Sequence, residues 1–323
     1  MKIVFMGTPD FSRESLEKLY NDGLDIVAVV TTPDRPAGRG MKMVSSPVKD
    51  FAVEKGLKLF QPEKISKNDE FKDAIRALEP DLVVVVSYGI ILPKSFLNIP
   101  KLGAINVHPS MLPKYRGPAP IQWAVINGDK TTGVTIMYLN EQMDAGDLIV
   151  QQEVEIDPDE TTGDLWNRLS TIGAELLLDS VHKIEKGIAP RTVQPEEYTL
   201  APMLDKEMSK IDWNNKTAIE IKNLIRGLNP IMGCYSMLGG KKIKLWKVDV
   251  LSEEEFEPYV QNGALKVDNE YGKVLLSSDK QGLFINAKEG IISCIEVQGE
   301  NAKRMNVKDF LRGNKIENGA IFE

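Results

Sequence analysis

The sequence predicts an α/β domain built on a doubly wound, mostly parallel sheet, followed by a smaller all-β domain of barrel type. Three observations carry this reading. Short β-branched runs alternate with helix-period segments through residues 1–160. Continuous apolar runs such as Ile3–Met6 and Leu82–Val86 have the pattern of strands buried on both faces. Beyond Asn229 the rhythm changes to short strands punctuated by Gly239-Gly240, Gly263, Gly272, Gly282 and Gly290.

Taken in order, Ile3–Met6 is the first strand. Ser12 to Asp22 follows as a helix, with Leu16, Leu19 and Tyr20 on one stripe and Gly23 as its C-cap. Ile26–Val30 is the second strand, and Ser46-Pro47 supplies an N-cap and a first-turn proline for a helix running to Gly56. Leu82–Val86 and Gly103–Val107 are central strands. A helix from about Pro118 to Asn127 precedes the strands Gly133–Leu139 and Leu148–Ile156. Thr161-Thr162-Gly163 opens a long helix carrying Leu165, Leu169, Ile172, Leu176, Val181 and Ile184, and Gly187 ends it. Pro190, Pro195 and Pro202 then mark a linker, after which Thr217 and Glu220 have capping-box form ahead of Ile221, Leu224 and Ile225. The expected division is a Rossmann-like domain over 1–188, a linker over 189–205 and an OB-like β-barrel domain over 206–315.

Composition narrows the function. Of 323 residues, 42% are hydrophobic and 27% charged, which is ordinary for a globular protein and excludes a disordered or collagen-like chain. A net charge of -7 excludes an all-over cationic coat for nucleic acid. That excess lies in residues 1–200, so residues 201–323 are neutral and free to carry a basic face. Cys234 and Cys294 are too few for a disulfide framework and lack metal-ligand spacing, so reduced thiols and no metal are expected. The longest apolar stretch, Leu82 to Leu92, is interrupted by Ser87-Tyr88-Gly89 and falls short of the roughly 18 residues that span a bilayer. The first residues do not read as a signal peptide. A cytoplasmic monomer with no membrane partner is the expectation.

The common cofactor motifs are missing. The first strand ends in Gly7-Thr8-Pro9-Asp10 without a dinucleotide fingerprint, and there is no phosphate-binding loop of the NTPase type. Chemistry must run on ordinary acid–base and hydrogen-bonding groups. The most informative stretch is Asn106-Val107-His108-Pro109-Ser110-Met111-Leu112-Pro113-Lys114-Tyr115-Arg116-Gly117-Pro118-Ala119-Pro120. Asn106 and His108 alternate to one side at a strand's carboxyl end, where open α/β sheets place ligands. The proline-rich loop behind them is stiff enough to form a pocket wall. The other histidine, His182, falls on the long amphipathic helix and reads as structural. Taken singly, each has a plainer reading: His108 as a capping or core histidine, which its setting disfavours, Asn106 as a strand-end or turn residue, and Asp144 as a turn residue between two strands. Together they supply a neutral donor for an oxyanion, an acid–base group and a carboxylate to orient it. That set suits acyl-type transfer without a covalent nucleophile.

The run Asn106 to Gly117, with Asp144-Ala145-Gly146-Asp147 downstream, resembles the folate-dependent formyltransferases. Pro33-Asp34-Arg35-Pro36-Ala37-Gly38-Arg39-Gly40, followed by Ser46-Pro47-Val48-Lys49, looks like a loop of the branch that acts on charged initiator tRNA. The resemblance resumes at Ile211-Asp212-Trp213, Ile225-Arg226-Gly227-Leu228-Asn229-Pro230 and Lys244-Leu245-Trp246-Lys247, and so covers nearly the whole chain. It implies 10-formyltetrahydrofolate as the formyl donor and the α-amino group of methionine on initiator tRNA as acceptor. It further implies Asn106, His108 and Asp144 as the catalytic trio and Ser110, Met111, Leu112 and Pro113 as the folate-site lining. Four residues depart from the family pattern: Met41 after Gly40, Ile231 and Met232 after Pro230, and Met111 in place of leucine.

An anionic acceptor facing a chain of net -7 requires concentrated basic groups. Arg35, Arg39, Lys42 and Lys49 cluster in or beside residues 32–49, with Arg39 expected nearest the acceptor end. Lys242 and Lys244 alternate on one strand face with Ile243 and Leu245 opposite. Arg304, Lys308 and Arg312 share a face if 304–312 is helical. Amino-sugar formyltransferases and formyltetrahydrofolate hydrolases remain the alternatives within the same resemblance.

Overall fold

In the computed structural model, which describes residues 1–37, 42–259 and 269–323, the apolar runs of the N-terminal half become strands with helices between them. In chain order these are β1 (Lys2–Gly7), α1 (Asp10–Asn21), β2 (Asp25–Val30), β3 (Arg35–Ala37), β4 (Lys42–Val44), α2 (Pro47–Glu54) and β5 (Leu59–Phe60). There follow α3 (Asp69–Arg76), β6 (Leu82–Val86), α4 (Lys94–Leu97), β7 (Ala104–His108) and α5 (Pro120–Ile126). β8 (Thr131–Tyr138), β9 (Leu148–Glu155) and the long α6 (Thr162–Glu185) complete this half. Two compact units result. The first comprises Met1–Ile121, Thr131–Glu155 and Leu165–Pro202; the second comprises Gln122–Lys130, Ile156–Asp164 and Met203–Glu323.

The first unit is built on a sheet of order β5-β2-β1-β6-β7-β8-β9. The five strands from β5 to β7 run parallel, and β8 and β9 are antiparallel additions at one edge. The chain winds from β1 toward β2 and β5, then returns to the other side of β1 through β6, giving the doubly wound topology expected. One face carries Val4, Met6, Val83, Val85 and Ala104 under Phe71 and Phe96. On the opposite face Val107 lies so near α6 that a Cβ on Gly173 would stand 2.9 Å from it. Because strand side chains alternate, Asn106 and His108 continue the face of Ala104 out to the strand's end.

Local chemistry explains the helix ends. Ser46 accepts from Lys49 N at 3.1 Å at the start of α2, as its position before Pro47 predicted. The short α3 and α4, the two-residue β5 and the β3–β4 hairpin are structural findings beyond the sequence reading. In α3 only Phe71 and Ile75 bury apolar side chains, too few for a periodic signal. The expected linker over 189–205 needs correction. Thr192 exchanges two backbone hydrogen bonds with Leu148, and Arg116 with Thr199 and Ala201, so this segment is a strap of the first unit as far as Pro202. Its prolines favour extended chain; extended here means laid along the surface.

The second unit holds α7 (Ala218–Gly227), β10 (Cys234–Leu238), β11 (Lys241–Leu251), α8 (Glu253–Phe256), β12 (Val274–Ser278), β13 (Gly282–Ala287), β14 (Gly290–Gln298), β15 (Met305–Asn306) and α9 (Val307–Gly313). The antiparallel order is β10-β11-β14-β13-β12, with β15 beside β14. The last residues join the two edges. Met237 and Glu323 exchange two backbone bonds at β10, while Val274 exchanges bonds with Gly319 and Ala320 at β12. Edge strands are thereby covered, in keeping with the barrel type expected. The core includes Trp213, Ile221, Leu245, Ile285, Val297 and Phe322. Cys234 and Cys294 are free and buried there, and burial pushes both thiols up to about 12. The capping box at Thr217 and Glu220 is present at the start of α7.

Candidate active site

β7 delivers Asn106 and His108 to the carboxyl end of the sheet, two residues apart on one face. Asn106 sits opposite Val85 and Met137 in the sheet register and is half-buried. Among the described residues its side-chain amide has no hydrogen-bond partner. His108 is 4% exposed. Its Nε2 lies 2.9 Å from the backbone carbonyl of Tyr115. A carbonyl only accepts, so that nitrogen carries hydrogen and the tautomer follows. Nδ1 is then the nitrogen left to gain or lose a proton, and it stands 3.7 Å from Asp144 Oδ2. At that separation the carboxylate acts on the ring through charge more than through a direct hydrogen bond.

Asp144 comes from the turn between β8 and β9, and its backbone is left-handed at φ 50°. Aspartate tolerates this region better than most residues. Two neighbours fix it. Gly117 N donates to Asp144 Oδ2 at 2.8 Å. Gln194, on the strap, donates from Nε2 to the carbonyls of Asp144 at 2.9 Å and Gly146 at 2.8 Å. Arg116 in turn donates to Gln194 Oε1 from Nε at 3.1 Å and Nη2 at 2.7 Å, with its guanidinium 4.5 Å over the Tyr198 ring. Gly117 is required where it stands: at φ 125° an added Cβ would meet Ala201 O at 2.7 Å.

The segment Ser110–Pro113 closes back on the sheet. Ser110 N donates to His108 O at 2.9 Å, and Ser110 Oγ donates to Lys114 O at 2.6 Å. Thr135 Oγ1 donates to Ser110 O at 2.6 Å and accepts from Leu112 N at 3.2 Å. Gln151 Nε2 donates to Leu112 O at 2.8 Å. Leu112 packs with Met137 and Leu148, while Met111 approaches Gly133, where a Cβ would meet its sulfur at 2.4 Å. The result is a rigid loop beside an amide donor and an imidazole–carboxylate pair.

Comparison with known proteins shows the family. Residues 1–181 match the family described as formyl transferase, and residues 203–315 match the formyl transferase C-terminal domain. The chain belongs to the formyl transferase family. A methionyl-tRNA formyltransferase of Caldanaerobacter subterraneus is 42% identical, with 100% of each chain covered. One from Clostridioides difficile is 44% identical over 99% of each. Among solved structures, an N-formyltransferase from Helicobacter canadensis in complex with folinic acid and dTDP-3-aminofucose aligns with a TM-score of 0.64. That match has 19% identity and covers 91% of this chain and 99% of that one. HypX from Aquifex aeolicus in complex with tetrahydrofolic acid gives a TM-score of 0.61 at 17% identity; 96% of this chain spans 47% of its length. At these identities the solved structures show the fold alone.

The basic residues singled out in the sequence are unevenly placed. Arg35 is exposed on β3. Arg39 lies outside the described residues, as does the side chain of Lys42, whose backbone belongs to β4. Lys49 is committed to Asp34 at 2.6 Å, and Gln61 also donates to Asp34 at 2.9 Å; these contacts hold that carboxyl below its usual range. Lys242 and Lys244 do share the outer face of β11, over the Tyr235 ring at 3.9 Å and the Trp246 ring at 5.0 Å. The expected helical face of Arg304, Lys308 and Arg312 is corrected. α9 starts only at Val307, and Arg304 precedes β15, where it pairs with Glu296 and lies over Trp246. Asn306 caps the helix through Lys308 N, which sets that later start.

Sequence reasoning missed Gln194, Arg116, Thr135 and Gln151 as supports of the site. It also missed Tyr88, at the end of β6 beside β7. Its hydroxyl is buried without a hydrogen-bond partner among the described residues, and burial pushes it up to about 12.

Proposed function

We propose that this chain transfers a formyl group from 10-formyltetrahydrofolate to the α-amino group of methionine esterified to initiator tRNA. The observation that carries the reading is an unpartnered Asn106 amide beside a His108 ring whose only free nitrogen faces Asp144. That is a donor with nothing else to do, set next to a proton carrier with a supporting carboxylate. The full-length relatives bearing this activity in their names supply the acceptor.

The donor brings an electrophilic formyl carbon and a leaving amine. The residues of the chain supply placement and charge. Asn106 donates from its amide to the formyl oxygen as negative charge builds there. His108 sets its imidazole in the same environment, with Nδ1 facing the Asp144 carboxylate at 3.7 Å. The amine of an aminoacyl ester is weakly basic and attacks in its neutral form, so no strong base is needed. Its new C–N bond replaces the bond to the donor nitrogen, and the proton it sheds passes by way of Asp144 and water to that departing nitrogen. Ser110, Met111, Leu112 and Pro113 line the donor site. Their backbone is fixed by Thr135 and Gln151, which leaves the loop pre-shaped for a planar ring system.

Arg35, Arg39 and Lys42 of the 32–49 segment, with Lys242, Lys244 and Arg304 of the second unit, contact tRNA phosphates. The enzyme works as a cytoplasmic monomer. Among the described residues no helix is long and apolar enough to cross a membrane.

The test is a formyl-transfer assay with three arms: methionyl-initiator tRNA, free methionine and no acceptor. Formylation confined to the charged tRNA is the expected result. Deformylation of the folate without tRNA would establish a hydrolase instead, and silence in all arms would redirect the acceptor to an amino sugar.

A further inference from the structure

Gln194 lies on a segment whose prolines and polar residues suggest a connector, yet it is 8% exposed and fully engaged. Its amide nitrogen reaches two carbonyls of one turn, those of Asp144 and Gly146, residues 50 and 48 positions away in the chain. Its amide oxygen accepts from Nε and Nη2 of Arg116. The two ends of the amide are therefore not interchangeable. A guanidinium has only donors, so Arg116 forces the oxygen toward itself and the NH2 toward the turn. Arg116 and Gly117 are adjacent, and Gly117 N holds the Asp144 carboxylate at 2.8 Å. Tyr115, the next residue back, supplies the carbonyl that fixes His108. One short stretch, 115–117, thus grips the imidazole directly, grips the carboxylate directly, and sets the orientation of the side chain that holds the carboxylate's backbone.

We propose that Gln194 is a positioning residue for formyl transfer, holding the left-handed Asp144 turn so that its carboxylate stays at its distance from His108 Nδ1. Arg116 acts one step further out, by orienting the Gln194 amide. The pairing with the strap on one side and the turn on the other makes the trio's geometry depend on a segment that contributes none of its members. A misplacement on the order of 1 Å at such a site is worth about 10²-fold in rate.

Two substitutions separate this role from plain packing. Gln194→Glu keeps an oxygen for Arg116 and can pair with it as an ion pair, but replaces the donor to both carbonyls by an acceptor. Gln194→Ala removes both functions. This inference rests on the formyl-transfer reading, so the measurements are of two kinds. Steady-state formylation is expected to show kcat down about 10²-fold in both variants, with KM for donor and acceptor within about 3-fold of wild type. Rates are normalised to the folded fraction by circular dichroism. Native-state hydrogen exchange is expected to show the Gly117 amide exchanging at least about 10-fold faster in Gln194→Glu, while Val193→Ala, a change at an exposed neighbour, leaves both readouts at wild-type values. If Gln194→Glu turns over like wild type and protects Gly117 equally, the side chain serves only to pair Arg116 and the proposal is overturned. If Gln194→Ala fails to fold, Gln194→Glu decides alone. A wild-type enzyme silent toward the charged tRNA would instead defeat the acceptor reading, and the exchange comparison would still decide the role of Gln194.

Discussion

Asn106 has the simplest energetic position in the site. Its amide gives up no hydrogen bond among the described residues when removed, and it is half-buried within β7, so truncation costs the fold little. A donor aimed at a developing oxyanion is commonly worth about 3–4 kcal/mol. Asn106→Ala is therefore expected to lower kcat by about 10²–10³ with a thermal midpoint close to wild type, read by steady-state formylation beside a melting curve. A parallel loss of stability would mean the amide has a structural partner. Asn106 and His108 were legible in the sequence because a strand's period of two puts them on one side whatever the rest of the fold does. Asp144 was legible only in their company, since a turn aspartate has no periodic signature. Gln194 was not legible at all: its meaning depends on two carbonyls about fifty residues away and on a guanidinium that fixes which way its amide faces.

The β8–β9 connection is the element on which the trio depends most. An added Cβ at Gly146 would lie 1.7 Å from Tyr138 O, a backbone atom that cannot swing away. Gly146→Ala is expected to cost about 1–3 kcal/mol and to lower kcat together with it, because the displaced turn carries Asp144; denaturant midpoints and initial rates measure the two. A second element-level expectation concerns α7. Thr217 donates from N at 2.7 Å and from Oγ1 at 2.8 Å to Glu220 Oε2, and these bonds hold the carboxyl below its usual range. A carboxylate depressed in the folded state stabilises fully above its unfolded value of 4.5 and loses that effect as pH falls through the folded one. The gap in melting temperature between wild type and Glu220→Ala should be present at pH 7 and close in acid. This cap was visible as Thr217 and Glu220 three apart, whereas α3 and the β3–β4 hairpin were not visible, being too short to show a period. The prolines of 189–205 marked a linker where the chain pairs with the first unit as far as Pro202: a local rule for proline carries no information on what the chain pairs with.

At the scale of the molecule, a chain of net -7 acting on an anion must rely on local concentrations of positive charge. Lys242 and Lys244 project from one face of β11, as strand alternation predicted. Arg304 does not extend a helical row, because α9 starts after it. If the two lysines contact phosphates, log K for tRNA falls steeply with log salt, and Lys242→Ala with Lys244→Ala should reduce that slope by about one each. Unchanged slopes would assign the face to solvent. The broad architecture was readable because it follows from burial patterns, doubly buried runs in one half and glycine-punctuated strands in the other. The joining of β10 and β12 through residues 319–323 was not, since long-range pairing leaves no mark in a short window.

The central claim is that the β7 end, with Asp144 across from it, carries formyl transfer. Single-turnover formylation of methionyl-initiator tRNA by wild type and His108→Ala, at saturating 10-formyltetrahydrofolate, tests it most directly. The expected result is a chemical step slowed by about 10²-fold or more in the variant, with the affinity for charged tRNA retained. A variant that formylates at a near-normal rate would contradict the mechanism.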